Sequence, residues 1–345
     1  MQCLDRASDL DRAKAALYGL ALGDAIGMPT QTLDRATIRE RYGKITDFVD
    51  PFHRHPVSHG LAAGQVTDDT EQAMLLARRL IATPNSFDQT GWAKDLLSWE
   101  QEVQRRGLLD LLGPSSKLAL TALREGVPAF ETGKEGTTNG AAMRILPVGI
   151  ATPSAALQTL LDRVATVCRV THNTGEAIAG AAAVATVIAA GVDGATFDHA
   201  FAPALKAARM GQDRGHPKGV PDMAARIERA LTLAERGDPD LIADEIGTSV
   251  ASHESVPAAF SIVHLADGDP WQAALIAANI GDDTDTIGAI AASMAAACRG
   301  MGSLPQKALD KLRAVNTLPM EELAAGLLNI RHERVTAVCL EDTLS

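Results

Sequence analysis

Apolar residues recur along this chain at intervals of three and four, the spacing that puts them on one face of an α-helix. Residues 9–25 (DLDRAKAALYGLALGDA) carry such a stripe, with Ser8 placed to cap the helix start. The same spacing predicts helices over 70–83, 88–106, 154–170, 174–190, 221–236, 269–279, 284–299 and 319–333. No run alternates apolar and polar residues for long enough to predict a strand. Two stretches, GEAIAGAAAVATVIAA (175–190) and IGAIAASMAAA (287–297), are apolar all round and rich in small residues. Such helices belong at the centre of an all-α domain, where small side chains let backbones approach closely. The stretch 205–222 (LKAARMGQDRGHPKGVPD) mixes Gly, Pro and charge and reads as a loop or lid insertion. No linker, repeat or low-complexity tract divides the chain, so a single multi-helix domain over 1–345 is expected.

Composition narrows the function. Hydrophobic residues make up 46% and charged residues 22% of the 345 positions, enough apolar material for a packed core. The net charge is −11 and no Lys/Arg cluster appears, so a phosphate-tracking nucleic-acid binder is not expected. Cys3, Cys168, Cys298 and Cys339 lie far apart with no CxxC pair, which argues against a zinc ribbon or disulfide framework and suits a reducing cytoplasm. The charged N-terminus does not read as a signal peptide, and no long uninterrupted apolar run predicts a membrane span.

Several short motifs carry chemistry. Thr67-Asp68-Asp69-Thr70-Glu71 opens one apolar helix. These residues can cap that helix and favour its positive end, or they can supply hard oxygen ligands to Mg²⁺ or Mn²⁺. Gly281-Asp282-Asp283-Thr284-Asp285-Thr286-Ile287-Gly288 opens another. Three carboxylates within four residues repel one another, and burial raises that cost unless a cation neutralises them. Two such clusters facing each other would suit a pair of divalent ions. Gly19, Gly23 and Gly27 make a close-contact face on the first helix, and Asp24 among them is either a structural acid or part of a site. Gly136-Thr137-Thr138-Asn139-Gly140-Ala141-Ala142-Met143-Arg144 combines turn chemistry with a glycine-bearing helix start that could meet sugar hydroxyls or phosphate. Thr171-His172-Asn173 separates two helical stretches. His53, His55 and His59 lie in a Pro-flanked loop, either solvated or gathered on a transition metal.

In this order the motifs GDxxG, TDDT, NGAAMR, TH and DTDTIG resemble the ADP-ribosylglycohydrolase family, over a span from about Leu17 to about Ala297. The resemblance implies an all-α fold with two Mg²⁺ or Mn²⁺ ions in a central cleft. It implies metal ligands at Thr67, Asp68 and Asp69 from the first cluster and at Asp283, Asp285 and Thr286 from the second. It matches Asn139, Gly140 and His172 to positions lining a ribose and diphosphate pocket. The implied reaction is hydrolysis at the anomeric carbon of an ADP-ribosyl or ribosyl compound, with a small molecule or an ADP-ribosylated protein as substrate.

Two positions depart from the family pattern. The family commonly has a glutamate seven residues after the Asp of its GD motif, where this chain has Gln31. An amide can orient water or ligate a metal but cannot accept a proton, which leaves Asp69 and Asp285 as the candidate bases. Many members have glycine where this chain has Asp282, and an added carboxylate there would repel a diphosphate. These departures keep two alternatives open: a small nucleoside or N-riboside hydrolase on the same scaffold, and a catalytically dead relative that binds ADP-ribose.

Overall fold

The computed structural model describes residues 6–108, 111–219 and 221–342. Among them are seventeen α-helices and no strand, only isolated two-residue bridges. In chain order these are α1 (Arg6–Gly27), α2 (Arg35–Tyr42), α3 (Asp68–Ala82), α4 (Gln89–Arg105), α5 (Pro114–Arg124) and α6 (Gly140–Met143). There follow α7 (Leu146–Ile150), α8 (Leu157–Cys168), α9 (Gly175–Val192), α10 (Phe197–Gln212), α11 (Met223–Ala234) and α12 (Pro239–Glu245). The last are α13 (Ser252–Leu265), α14 (Pro270–Ile280), α15 (Thr284–Arg299), α16 (Gln306–Val315) and α17 (Met320–Asp342).

Every residue of α9 is buried. It is long and apolar enough to cross a membrane, but its surface is covered by protein on all sides. Neighbouring helices close around it and around α15, as the small residues of both stretches predict. The glycine face of α1 lies directly on α15. A Cβ added at Gly19 would meet the Ala292 carbonyl oxygen at 2.6 Å, at Gly23 that of Gly288 at 2.0 Å, and at Gly27 that of Thr284 at 2.4 Å. The two helices therefore run antiparallel with backbones in contact, which only glycine permits. The consequence is functional: the C-terminal end of α1 sits beside the N-terminal end of α15, where the second acidic cluster begins. Thr30 and Thr284 lock that junction by donating to the Gly27 carbonyl at 3.0 and 2.9 Å.

Three expectations need correction. Helix α1 begins at Arg6, so Ser8 lies inside it rather than capping it. The stretch 205–222 is not all loop, because α10 continues to Gln212. Its Ala200, Ala204, Leu205, Ala207 and Ala208 form a buried face that outweighs the nearby charges. The remaining loop is tied down where the His216 backbone pairs with Asn173 and Gly175 at 2.9 Å each. Helix α13 was not among the expected helices, and it contains Pro257. Proline removes the N–H that would bond the His253 carbonyl, and the Arg226 guanidinium satisfies that carbonyl instead. Cys168 and Cys298 are free and buried, while Cys3 lies outside the described residues.

Candidate functional site

The first acidic cluster sits at the N-terminus of α3, and its cap comes from another helix. Asp24 of α1, fully buried, accepts from the Thr67 N–H at 2.9 Å, the Thr67 hydroxyl at 2.8 Å, the Thr70 N–H at 3.2 Å and the Thr70 hydroxyl at 2.5 Å. Asp24 thus satisfies two of the orphan N–H groups of the first turn, and the Thr67 side chain does not cap α3. The Thr67 hydroxyl gives its proton to Asp24, so its remaining capacity is as an oxygen donor only.

The second cluster faces the first. Asp69 Oδ2 lies 3.3 Å from the Thr67 hydroxyl oxygen and, 217 residues along the chain, accepts from Thr286 at 3.4 Å. Asp283 accepts from Asn139 Nδ2 at 2.5 Å, and the same amide reaches Ser255 Oγ at 3.0 Å. Asp68, Asp69, Asp283 and Asp285 are all buried. Burial raises every one of their pKa values, and mutual repulsion adds to it. Asp69 is pushed well up by burial, then by Asp285 and Asp68; Asp285 is pushed well up by burial, then by Asp283 and Asp24. Asp68 is pushed well up by burial, then by Asp24 and Asp283. Burial lifts Asp24 and Asp283 to about 6 against their hydrogen-bond donors.

One oxygen on each side of the pair, Asp69 Oδ1 and Asp285 Oδ1, is buried with no hydrogen-bond partner. Buried carboxylate oxygens without donors are costly unless a proton or a cation meets them. Hard oxygens in this number suit Mg²⁺ or Mn²⁺. Among the described residues no three acidic, histidine or cysteine side chains converge closely enough to hold an ion as they stand. The fit to a divalent ion therefore rests on the donor chemistry and the two orphaned oxygens.

A cavity of about 250 Å³ opens onto these residues. Gln31, Asp68, Asp283, Asp285 and Thr286 line one side; Leu112, Lys117, Thr138, Asn139, Gly140 and Val250 line the others. A larger cavity of about 490 Å³ lies between α2 and α14, away from both clusters. Gly140 and Asn139 are where the sequence places them, on the cavity wall.

His172 and Asp282 are not on that wall. His172 is fully buried behind Gly140, where an added Cβ would lie 2.8 Å from the ring. Its nitrogens contact the Thr138 hydroxyl at 3.0 Å and the Thr171 hydroxyl at 2.8 Å, and burial drives its pKa well down. It supports the cleft floor as a neutral ring. Asp282 is exposed, with φ +67. Its backbone pairs with Thr32 and Leu33 at 2.6 and 2.7 Å. A left-handed backbone of this kind is one that glycine adopts readily.

Sequence reasoning left Arg144 without a role. Its guanidinium is completely buried, donating to Gln72 Oε1 at 2.6 Å and to the Thr171 hydroxyl, 5.7 Å from the centre of the Trp92 ring. Gln72 in turn reaches Asp68 at 3.3 Å. Burial lowers the Arg144 pKa to about 10, so it stays a cation at neutral pH. The only advance signal was its place in the NGAAMR motif. Of the three loop histidines, His55 is buried while His53 and His59 are exposed, so they do not gather on one ion.

The sequence profile of the ADP-ribosylglycohydrolases matches residues 5–336. The chain belongs to the ADP-ribosylglycohydrolase family. Protein YegU of Escherichia coli is 33% identical over 94% of this chain and 98% of its own length. ADP-ribosylarginine hydrolase Tri1 of Pseudomonas putida is 28% identical over 88% of this chain and 74% of its own. A solved structure of an ADP-ribosylglycohydrolase-related protein complex superposes with a TM-score of 0.69 and 25% identity, over 94% of this chain and 99% of that one. As a member of this family the chain is a glycosyl hydrolase, and the facing acidic clusters are its candidate active site.

Proposed function

We propose that this ADP-ribosylglycohydrolase is a Mg²⁺- or Mn²⁺-dependent enzyme that hydrolyses the N-glycosidic bond at the anomeric carbon of an ADP-ribosyl or ribosyl compound. The observation that carries this reading is the pair of orphaned buried oxygens, Asp69 Oδ1 and Asp285 Oδ1, on two clusters that face each other. Thr67, Asp68, Asp69, Asp283, Asp285 and Thr286 would hold two ions. When bound, such ions polarise water or sugar hydroxyls and neutralise the crowded acids.

The chain's own residues do the rest. Carboxylates close to the reacting carbon would stabilise the positive charge that develops on it. With Gln31 unable to accept a proton, Asp69 and Asp285 are the carboxylates that would take one from water once ions neutralise the cluster. Asn139 fixes Asp283, and Arg144 fixes Asp68 through Gln72. Gln31 presents an amide to the cleft and takes no proton. Gly140 leaves the wall open where a side chain would collide with His172.

A cavity of about 250 Å³ is at the small end of ligand clefts, which supports a nucleoside or simple N-riboside as the second reading. Asp282 is exposed and off the cavity wall, which weakens the charge argument against a diphosphate. The test is turnover of ADP-ribosylarginine and of simple nucleosides, with Mg²⁺ and after chelation, for the parent and Asp285→Ala. Metal-dependent release of the leaving group, lost in the variant, is expected. Turnover that survives both chelation and the substitution would sink the metal-dependent reading.

A further inference from the structure

We infer that Ser58 and His55 are positioning residues for Gln31, and that their hydrogen-bond polarity selects an amide at that place in the cleft. The inference rests on the reading of the cleft as catalytic. The reasoning starts at the Met28 carbonyl, which can only accept. Ser58 Oγ lies 2.7 Å from it and gives its single proton there. Toward Gln31 the same oxygen can therefore only accept, and it takes the Nε2 proton at 3.0 Å. With Nε2 committed to Ser58, Oε1 is the acceptor left on the amide of a residue that lines the cavity with Asp68 and Asp285.

Ser58 is itself held in place. His55 Nδ1 accepts the backbone N–H groups of Ser58 at 2.9 Å and Val57 at 3.2 Å. An acceptor at Nδ1 makes the ring neutral, with its proton on Nε2. Burial and the neighbouring His59 hold its pKa down to about 4, so it remains an acceptor at neutral pH. His55 and Ser58 are both buried. This gives a role to the one buried histidine of the loop trio.

The polarity has a consequence for the departure at Gln31. An ionised carboxylate in its place would set two acceptors against each other, with no free proton on Ser58 to join them. Gln31 is then matched to its surroundings rather than a decayed glutamate.

The experiment is a double-mutant cycle of Gln31→Glu and Ser58→Ala in Mg²⁺ buffer, reading kcat, KM and melting temperature from pH 5.5 to 8. Gln31→Glu should lower kcat on the order of 10-fold at pH 8 and lower the melting temperature, as expected for opposed buried acceptors. The loss should narrow toward pH 5.5, where the introduced carboxyl is protonated and can donate to Ser58. With Ser58→Ala in place, the penalty of Gln31→Glu should shrink to roughly 3-fold or less and lose its pH dependence. Ser58→Thr, which keeps the hydroxyl, should keep the pH-dependent penalty of Gln31→Glu. Additive effects on both rate and melting temperature would overturn the inference, as would a Gln31→Glu variant matching the parent at every pH. If no ribosyl compound is turned over, the proposed function fails, yet the melting-temperature cycle still decides whether Ser58 and Gln31 are coupled.

Discussion

Removing divalent ions should make this protein less stable as the pH rises, the reverse of the usual behaviour of paired carboxylates. Asp24 and Asp283 have pKa values lifted from 3.8 to about 6 by burial, and Asp68, Asp69 and Asp285 are lifted further in the same direction. A raised acid binds more protons folded than unfolded, so stability is highest below the unfolded value near 4. It is lost as the pH climbs through the folded value. A lift of about two pKa units is worth about 3 kcal/mol for one group. For a chain of 345 residues the unfolding entropy converts that to roughly 4 °C in melting temperature, and two such groups to roughly 8 °C. The assay is a melting curve after chelation at pH 5, 6, 7 and 8. Millimolar Mg²⁺ or Mn²⁺ added at pH 8 should recover most of the loss by mass action, and should fail to do so in Asp285→Ala. A chelated protein whose melting temperature is flat or rising over this range would refute the reasoning. An equal Mg²⁺ shift in Asp285→Ala would place the ion elsewhere.

Three further outcomes follow from the packing. Asp24→Ala strands two buried N–H groups and two hydroxyls at the start of α3; a loss of about 2–4 kcal/mol is expected by chemical denaturation, with a weaker response to Mg²⁺. Gly23→Ala places a methyl 2.0 Å from the Gly288 carbonyl oxygen and should cost about 3 kcal/mol or more, whereas Gly302→Ala, with open space around it, should melt as the parent does. Arg144→Met removes the buried cation behind Asp68 and frees Gln72; Mg²⁺ affinity measured by calorimetry should change by on the order of 10-fold, and an unchanged value would show that Arg144 serves packing alone.

Much of the helical frame was legible in the sequence because a 3.6-residue period is local information. Helix α15 begins and ends where its apolar run predicts, and α9 is as completely buried as its all-round apolarity requires. The acidic motifs were equally visible, since crowding carboxylates at the mouth of an apolar helix has a cost that surface solubility does not explain. Local rules failed where tertiary partners override them. Helix α13 holds Pro257 because Arg226 supplies a donor to the His253 carbonyl, and the charges of 205–212 hid a buried alanine face.

The division between sequence and structure is clearest at the cleft. The sequence by itself determined many of the helical segments, which two segments carry the acids, and where Gln31 and Asp282 depart from the family pattern. Only the tertiary structure decided what each of those residues does. It put Asp24 under α3 as a cap from 43 residues away, and it turned His172 beneath Gly140 and Asp282 out to solvent. It also set Ser58 as the acceptor that faces Gln31. The physical reason is that a hydrogen bond's direction and a carboxylate's burial depend on groups brought together across the chain, and those groups leave no periodic trace in the segment they act upon.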